Sequence, residues 1–113
     1  MDFRDIDECR KIIKQILIEY SKFKPAYGDI ETDVVFDDER NHYQMIHIGW
    51  ESKRRVCGPI IHISMKNGKV WVEYDGTEDG VANELVQAGI PKEQIVLGFH
   101  SPSLRKYTKY AVE

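Results

Sequence analysis

The pair Asn67-Gly68 constrains this chain more than any other feature, because it sits at the centre of IIHISMKNGKVWVEYD, residues 60 to 75. Asn-Gly is the preferred pair for a two-residue hairpin turn whose central residues both need positive φ, and alternating apolar residues flank it on each side. With Lys66 opposite Lys69, the register sets Met65 against Val70, Ile63 against Val72 and Ile61 against Tyr74 on one face. The other face then pairs Ser64 with Trp71, His62 with Glu73 and Ile60 with Asp75.

The flanking sequence supplies the rest of a small domain. Ile6, Cys9, Ile13, Ile16, Leu17 and Tyr20 recur at helical spacing and predict an amphipathic helix over Asp5 to Phe23, with Asp5 and Glu8 in the places of a capping box. Alternation over Ile30 to Asp37 and over His42 to Trp50 predicts two strands. Gly58-Pro59, inside an apolar run, predicts a bulge or a change of direction just before the hairpin. After the hairpin, Thr77 is placed to cap a second helix from Glu78 to Gln87, stopped by Gly89, and Ile95 to Phe99 has strand length. Pro102 opens a last helical turn, while Tyr107 to Val112 fits either helix or strand. The fold class is therefore α+β: a four-stranded antiparallel meander with an N-terminal helix, a second helix after the sheet and a short C-terminal strand/helix segment. One domain over residues 1–113 accounts for the length.

Composition removes several functional classes. With 42% hydrophobic and 31% charged residues, the chain is globular, and its apolar runs are too short for a membrane span. No secretory or transit pattern is read at its start, so a cytoplasmic setting is expected. Cys9 and Cys57 stand alone, without a C-x-x-C partner, which suits free buried thiols rather than a disulfide or zinc framework. A net charge of −3 disfavours a dedicated nucleic-acid binder. Asp37, Asp38 and Glu39 read as a solvated loop, since the distributed oxygen ligands of a calcium loop are missing.

If Val34, Ile48 and Ile63 share a face, helices should cover the side bearing Ile46, Ile48, Ile61, Ile63, Val70 and Val72. The opposite side then collects Glu31, Asp33, Tyr43, Met45, His47, Ile60, His62, Ser64, Trp71, Glu73 and Asp75. His47, His62 and Glu73 are its candidates for a metal or acid/base site, although no local metal motif accompanies them and the ordinary polar alternation of a wet or subunit-packed sheet face is the preferred explanation. Tyr43, Met45, Ile60 and Trp71 are its candidates for an interface, because large apolar side chains on a polar face call for a partner or a second copy. Lys53, Arg54 and Arg55 form one basic cluster and Arg105, Lys106 and Lys109 another, candidates for phosphate contact that serve as well for solvation. No phosphate-binding glycine loop, nucleophile elbow or Cys-His spacing is present, so no catalytic residue and no cofactor is assigned.

Three stretches carry a resemblance that spacing alone does not supply: HYQMIHIGW, DGTEDGVANELVQAGIPKEQIVLGFH and LRKYTKYAV. From about Tyr27 to the C-terminus the chain resembles the XisI family, the fdxN element excision controlling factor proteins of cyanobacteria. Cys57 and Ser101 to Ser103 fall at positions expected to vary. The resemblance implies an accessory factor in developmentally controlled excision of a DNA element, acting with a XisH-type companion protein and a separate site-specific recombinase. It attaches no catalytic residue to these motifs. A homo-oligomer without direct DNA contact is the expected form; the alternatives are a metal-dependent or acid/base enzyme using the His/Glu face, and a weak direct DNA binder.

Overall fold

The computed structural model describes residues 6–23 and 28–113. Helix α1 (Ile6–Ser21) is followed by strands β1 (Asp29–Asp37), β2 (His42–Glu51), β3 (Arg54–Lys66) and β4 (Lys69–Asp75), then helix α2 (Val81–Gln87), strand β5 (Ile95–Leu97) and the short helix α3 (Pro102–Arg105). The proposed capping residue Asp5 and the turn residue Pro25 lie outside the described residues. The strands form one sheet in the order β1-β2-β3-β4-β5. Its first four strands are the expected antiparallel meander, and β5 adds to it parallel to β4, through the crossover that contains α2.

The hairpin turn takes the conformation its sequence requires, with φ of 53° at Asn67 and 74° at Gly68, and Lys66 faces Lys69. Two bulges then reset the side-chain alternation. Met45 faces Ile61 whereas Ile46 faces Pro59, which leaves Ile60 as the extra residue beside Gly58-Pro59, where a bulge was expected. Its carbonyl accepts the Gly76 N–H at 2.7 Å. In β4, Ile63 faces Val72 and His62 faces Tyr74, so Glu73 is the extra residue of a second bulge that the sequence pattern did not announce. Consequently Tyr74 turns to solvent and Ile61 faces Asp75 instead.

One face of the sheet carries the core. Cys9, Ile13 and Leu17 of α1 and Val81, Ala82 and Leu85 of α2 are buried against Tyr43, Met45, Ile61, Ile63, Val70 and Val72. Burial follows the predicted hydrophobic stripe of α1 from Cys9 to Tyr20, while Ile6 at its start stays exposed. α2 begins later than expected because Asp75, not Thr77, caps it: its carboxylate accepts the N–H of Val81 at 2.7 Å and that of Thr77 at 2.9 Å. Thr77 instead accepts the Gly80 N–H at 3.2 Å, and Gly80, with φ of 86°, turns the chain into the helix. At the other end Gly89 adopts the left-handed conformation expected of it, φ 113°, and the N–H of Ile90 bonds to the Leu85 carbonyl.

β2 lies the other way up from the sequence expectation. Tyr43 (0% exposed) and Met45 (4%) point into the core, while Ile46, Ile48 and Trp50 point to the opposite face. Cys9 is buried as expected, its thiol pushed up to about 12 by burial; Cys57 is exposed on the open face, contrary to expectation. The bulge at Ile60 shifts the preceding part of β3 by one residue, and that shift turns Cys57 outward.

Candidate functional site: the open face of the sheet

Helices α1 and α2 cover one side of the sheet, and on the other side the C-terminal segment with α3 covers only the β4–β5 end, which leaves the rest of that face open. Cross-strand registers arrange the residues of that face in rows: Asp29, Trp50 and Arg55; Glu31, Ile48 and Cys57; Asp33, Ile46 and Pro59; Val35, Gln44, His62 and Tyr74. Trp50, Tyr74 and Val35 are 50%, 50% and 46% exposed, and Ile46 and Ile48 between them are half-buried. The Arg55 guanidinium stacks on the Trp50 ring at 5.3 Å and donates to the Gly49 carbonyl at 3.4 Å.

The next row, Asp37, His42, Ser64, Trp71 and Val96, lies at the β4–β5 end, where the C-terminal segment closes over it. Ala111 bridges Val96, and its N–H bonds to the Ile95 carbonyl at 2.8 Å. The Trp71 ring has the Lys66 ammonium over it at 4.1 Å and the Arg105 guanidinium at 5.2 Å. A methyl group at Gly98 would come 3.2 Å from the Trp71 ring and from the Val72 carbonyl oxygen and 2.8 Å from a Glu73 carboxylate oxygen, so the segment lies close against β4 there. Among the described residues the Trp71 indole N–H, also buried, has no acceptor.

The candidates read from sequence are dispersed by this arrangement. Tyr43 and Met45 are core residues, Ile60 packs against the core, and Trp71 lies beneath Lys66 and Arg105, so the four interface candidates share no open surface. The Tyr43 hydroxyl is tied instead into a network joining α1 to the β1–β2 turn. It donates to Asp38 at 2.9 Å and accepts from Arg10 at 3.1 Å, while Lys14 reaches Asp38 at 2.8 Å. Burial first, and then the bond to Asp38, pushes the Tyr43 phenol up to about 12; the bonds from Lys14 and Tyr43 hold Asp38 below the usual carboxylate range. Sequence reading saw the acid run of this turn but not its helix partners, which lie 24 and 28 residues away.

His47 and His62 do not converge. His47 follows Tyr43 and Met45 on the helix-covered side, where burial lowers its pKa, and His62 lies on the open side. The bulge at Glu73 also parts His62 from Glu73, whose carboxylate accepts the Ser64 hydroxyl at 2.8 Å and approaches Lys66 at 4.0 Å. His62 has His42 as its neighbour, Nε2 to Nδ1 at 3.0 Å. Burial, with His42 adding to it, lowers the His62 pKa. Among the described residues no three His, Cys, Asp or Glu side chains gather as a metal site.

The basic clusters are also largely engaged. Arg54 pairs with Glu51 at 3.1 Å, and Arg105 donates to the carbonyls of His100, Gly98 and Val112 at 3.0, 3.3 and 3.5 Å. Lys106 lies over the exposed Tyr107 ring at 5.3 Å, and Lys53 is exposed in the β2–β3 turn. No described helix is long and apolar enough to cross a membrane.

The fold is that of a small α+β domain, with α1 and α2 packed on one side of a mainly antiparallel sheet and a mixed polar and apolar open face on the other. The chain belongs to the XisI protein family, whose model matches residues 1–112. It is 36% identical to a XisI-like protein from Anabaena variabilis, with a TM-score of 0.88 over 96% of this chain and 100% of the other. It is also 32% identical to the fdxN element excision controlling factor XisI from Anabaena variabilis, with a TM-score of 0.80 over 95% and 97% of the two chains. Comparison with curated proteins returned no match.

Proposed function

We propose that this chain is a controlling factor in the excision of a DNA element, acting without catalysis of its own. It works in the cytoplasm through protein contacts, with a XisH-type companion and as a homo-oligomer, while a separate site-specific recombinase carries out the strand chemistry. The observation that carries this reading is the likeness, over almost the full length of both chains, to the structure described as the fdxN element excision controlling factor XisI. The site supports it in kind: the open face offers exposed aromatic and aliphatic side chains, whereas His47, His62 and Glu73 do not form an acid/base or metal constellation. Light-scattering mass of the purified chain, alone and mixed with its XisH-type companion, tests the reading. A defined complex of the two proteins is the expected result. Masses that are simply those of the separate proteins would overturn it.

A further inference from the structure

The open face has a distribution of charge that selects its own occupant. Along β1 it presents Asp29, Glu31 and Asp33, along β2 the apolar Ile46, Ile48 and Trp50, and along β3 Arg55, with Lys53 in the adjoining turn. Those three carboxylates enter no ion pair among the described residues. Neighbouring strands are about 4.8 Å apart, so the acidic and basic edges are separated by about 10 Å across β2 and cannot neutralise one another closely within one copy. An acid–apolar–base sequence of stripes is self-complementary under one kind of rotation. A two-fold axis lying between two such faces and running along β2 sets each β1 over the partner's β3. An axis across the strands would instead set β1 over β1, acid against acid.

From this complementarity we infer that the open face is the contact between two copies of this chain, packed sheet to sheet about a two-fold axis parallel to β2. The apolar stripe supplies the dry centre, with the Trp50 ring against the Arg55 guanidinium and Ile48 on the same face of β2. The acidic and basic edges supply orientation more than affinity, since their charges remain near solvent. The C-terminal segment limits the contact, because it already occupies the same face over Trp71 and Val96. The inference rests on the oligomer element of the function proposed above, and it names the surface and the symmetry.

Sedimentation or light scattering of the full chain across a dilution series tests it without any other protein. The expected mass is twice the 13.2 kDa of the chain, falling to one copy on dilution. Ile48→Glu and Trp50→Glu should each leave a monomer with an unchanged circular dichroism spectrum, since neither side chain belongs to the core. Asp29→Lys and Arg55→Glu, in one row and set over one another by this axis, should each weaken association, and the double variant should restore it. Cys57, in the row of Glu31 and Ile48, gives a second readout in the unaltered protein: its reaction with a thiol reagent should slow as concentration rises. A monomer at every concentration, a dimer that survives both glutamate variants, or a Cys57 rate independent of concentration would each overturn the inference. Failure of the double variant to restore association would overturn the axis along β2. A monomeric chain that still bound the XisH-type companion would remove this dimer and leave the controlling-factor reading standing.

Discussion

His62 illustrates how a single residue's role follows from its neighbours. It faces Gln44 and Tyr74 across the strands, has His42 Nδ1 3.0 Å from its Nε2, and feels the carboxylate of Glu73, the one nearby group that favours its charged form. Burial is the largest influence and His42 the next; both disfavour the imidazolium, so the folded-state pKa lies below the ordinary 6.5. The unfolded chain therefore takes up this proton first as pH falls. Stability from the neutral ring is complete above about pH 6.5 and is lost as pH falls through the lowered folded value. His47, depressed by burial alone, acts in the same direction. Urea midpoints measured at pH 8 and pH 5 should show the lower stability at pH 5, and His62→Gln should reduce that difference. An identical difference in the variant would show that His62 does not contribute.

At the scale of elements, the Asn67-Gly68 hairpin is where sequence and structure agree most closely. A methyl group at Gly68 would meet nothing within 4 Å, so Gly68→Ala should cost only the conformational penalty of φ 74°. That is about 1 kcal/mol of stability, to be read as a lower urea midpoint with an unchanged denaturant slope. A change well beyond that would mean the turn carries contacts the structure does not contain. The local chemistry of turn, α1 stripe and Gly89 stop was legible because each depends on adjacent residues. The orientation of β2 was not, because both of its alternations are apolar: Tyr43 and Met45 on one side, Ile46, Ile48 and Trp50 on the other. Only the pairing of Met45 with Val34 and Ile61 decides between them. Gly58-Pro59 signalled the first bulge, but the run VWVEY continues its alternation straight through the second at Glu73. A one-residue slip exchanges the faces, which is why the sequence pattern puts Tyr43, Met45 and His47 on the open side and the structure puts them on the helix-covered one.

The whole molecule carries a net charge of −3, and what it can do with DNA depends on which cations remain free. Within the two basic clusters Arg54 is paired with Glu51, Arg55 is held on Trp50, and Arg105 is spent on three backbone carbonyls and the Trp71 ring. Lys53, Lys106 and Lys109 are left to meet phosphate. Each phosphate neutralised contributes about −0.9 to the slope of log affinity against log salt, so binding to duplex DNA through these two clusters should give a slope no steeper than about −3. Such binding should be lost at moderate salt and should not distinguish sequences, because phosphate contacts carry no base information. Lys106→Gln should make the slope shallower by about 1. Arg105→Gln should leave the slope unchanged while lowering stability, since that guanidinium holds the C-terminal segment in place. A fluorescence anisotropy titration across salt concentrations separates the two readings. A much steeper slope, or one that falls on loss of Arg105, would mean that the basic clusters rearrange to hold DNA directly; a shallow slope agrees with the proposal that this XisI family member works through protein contacts.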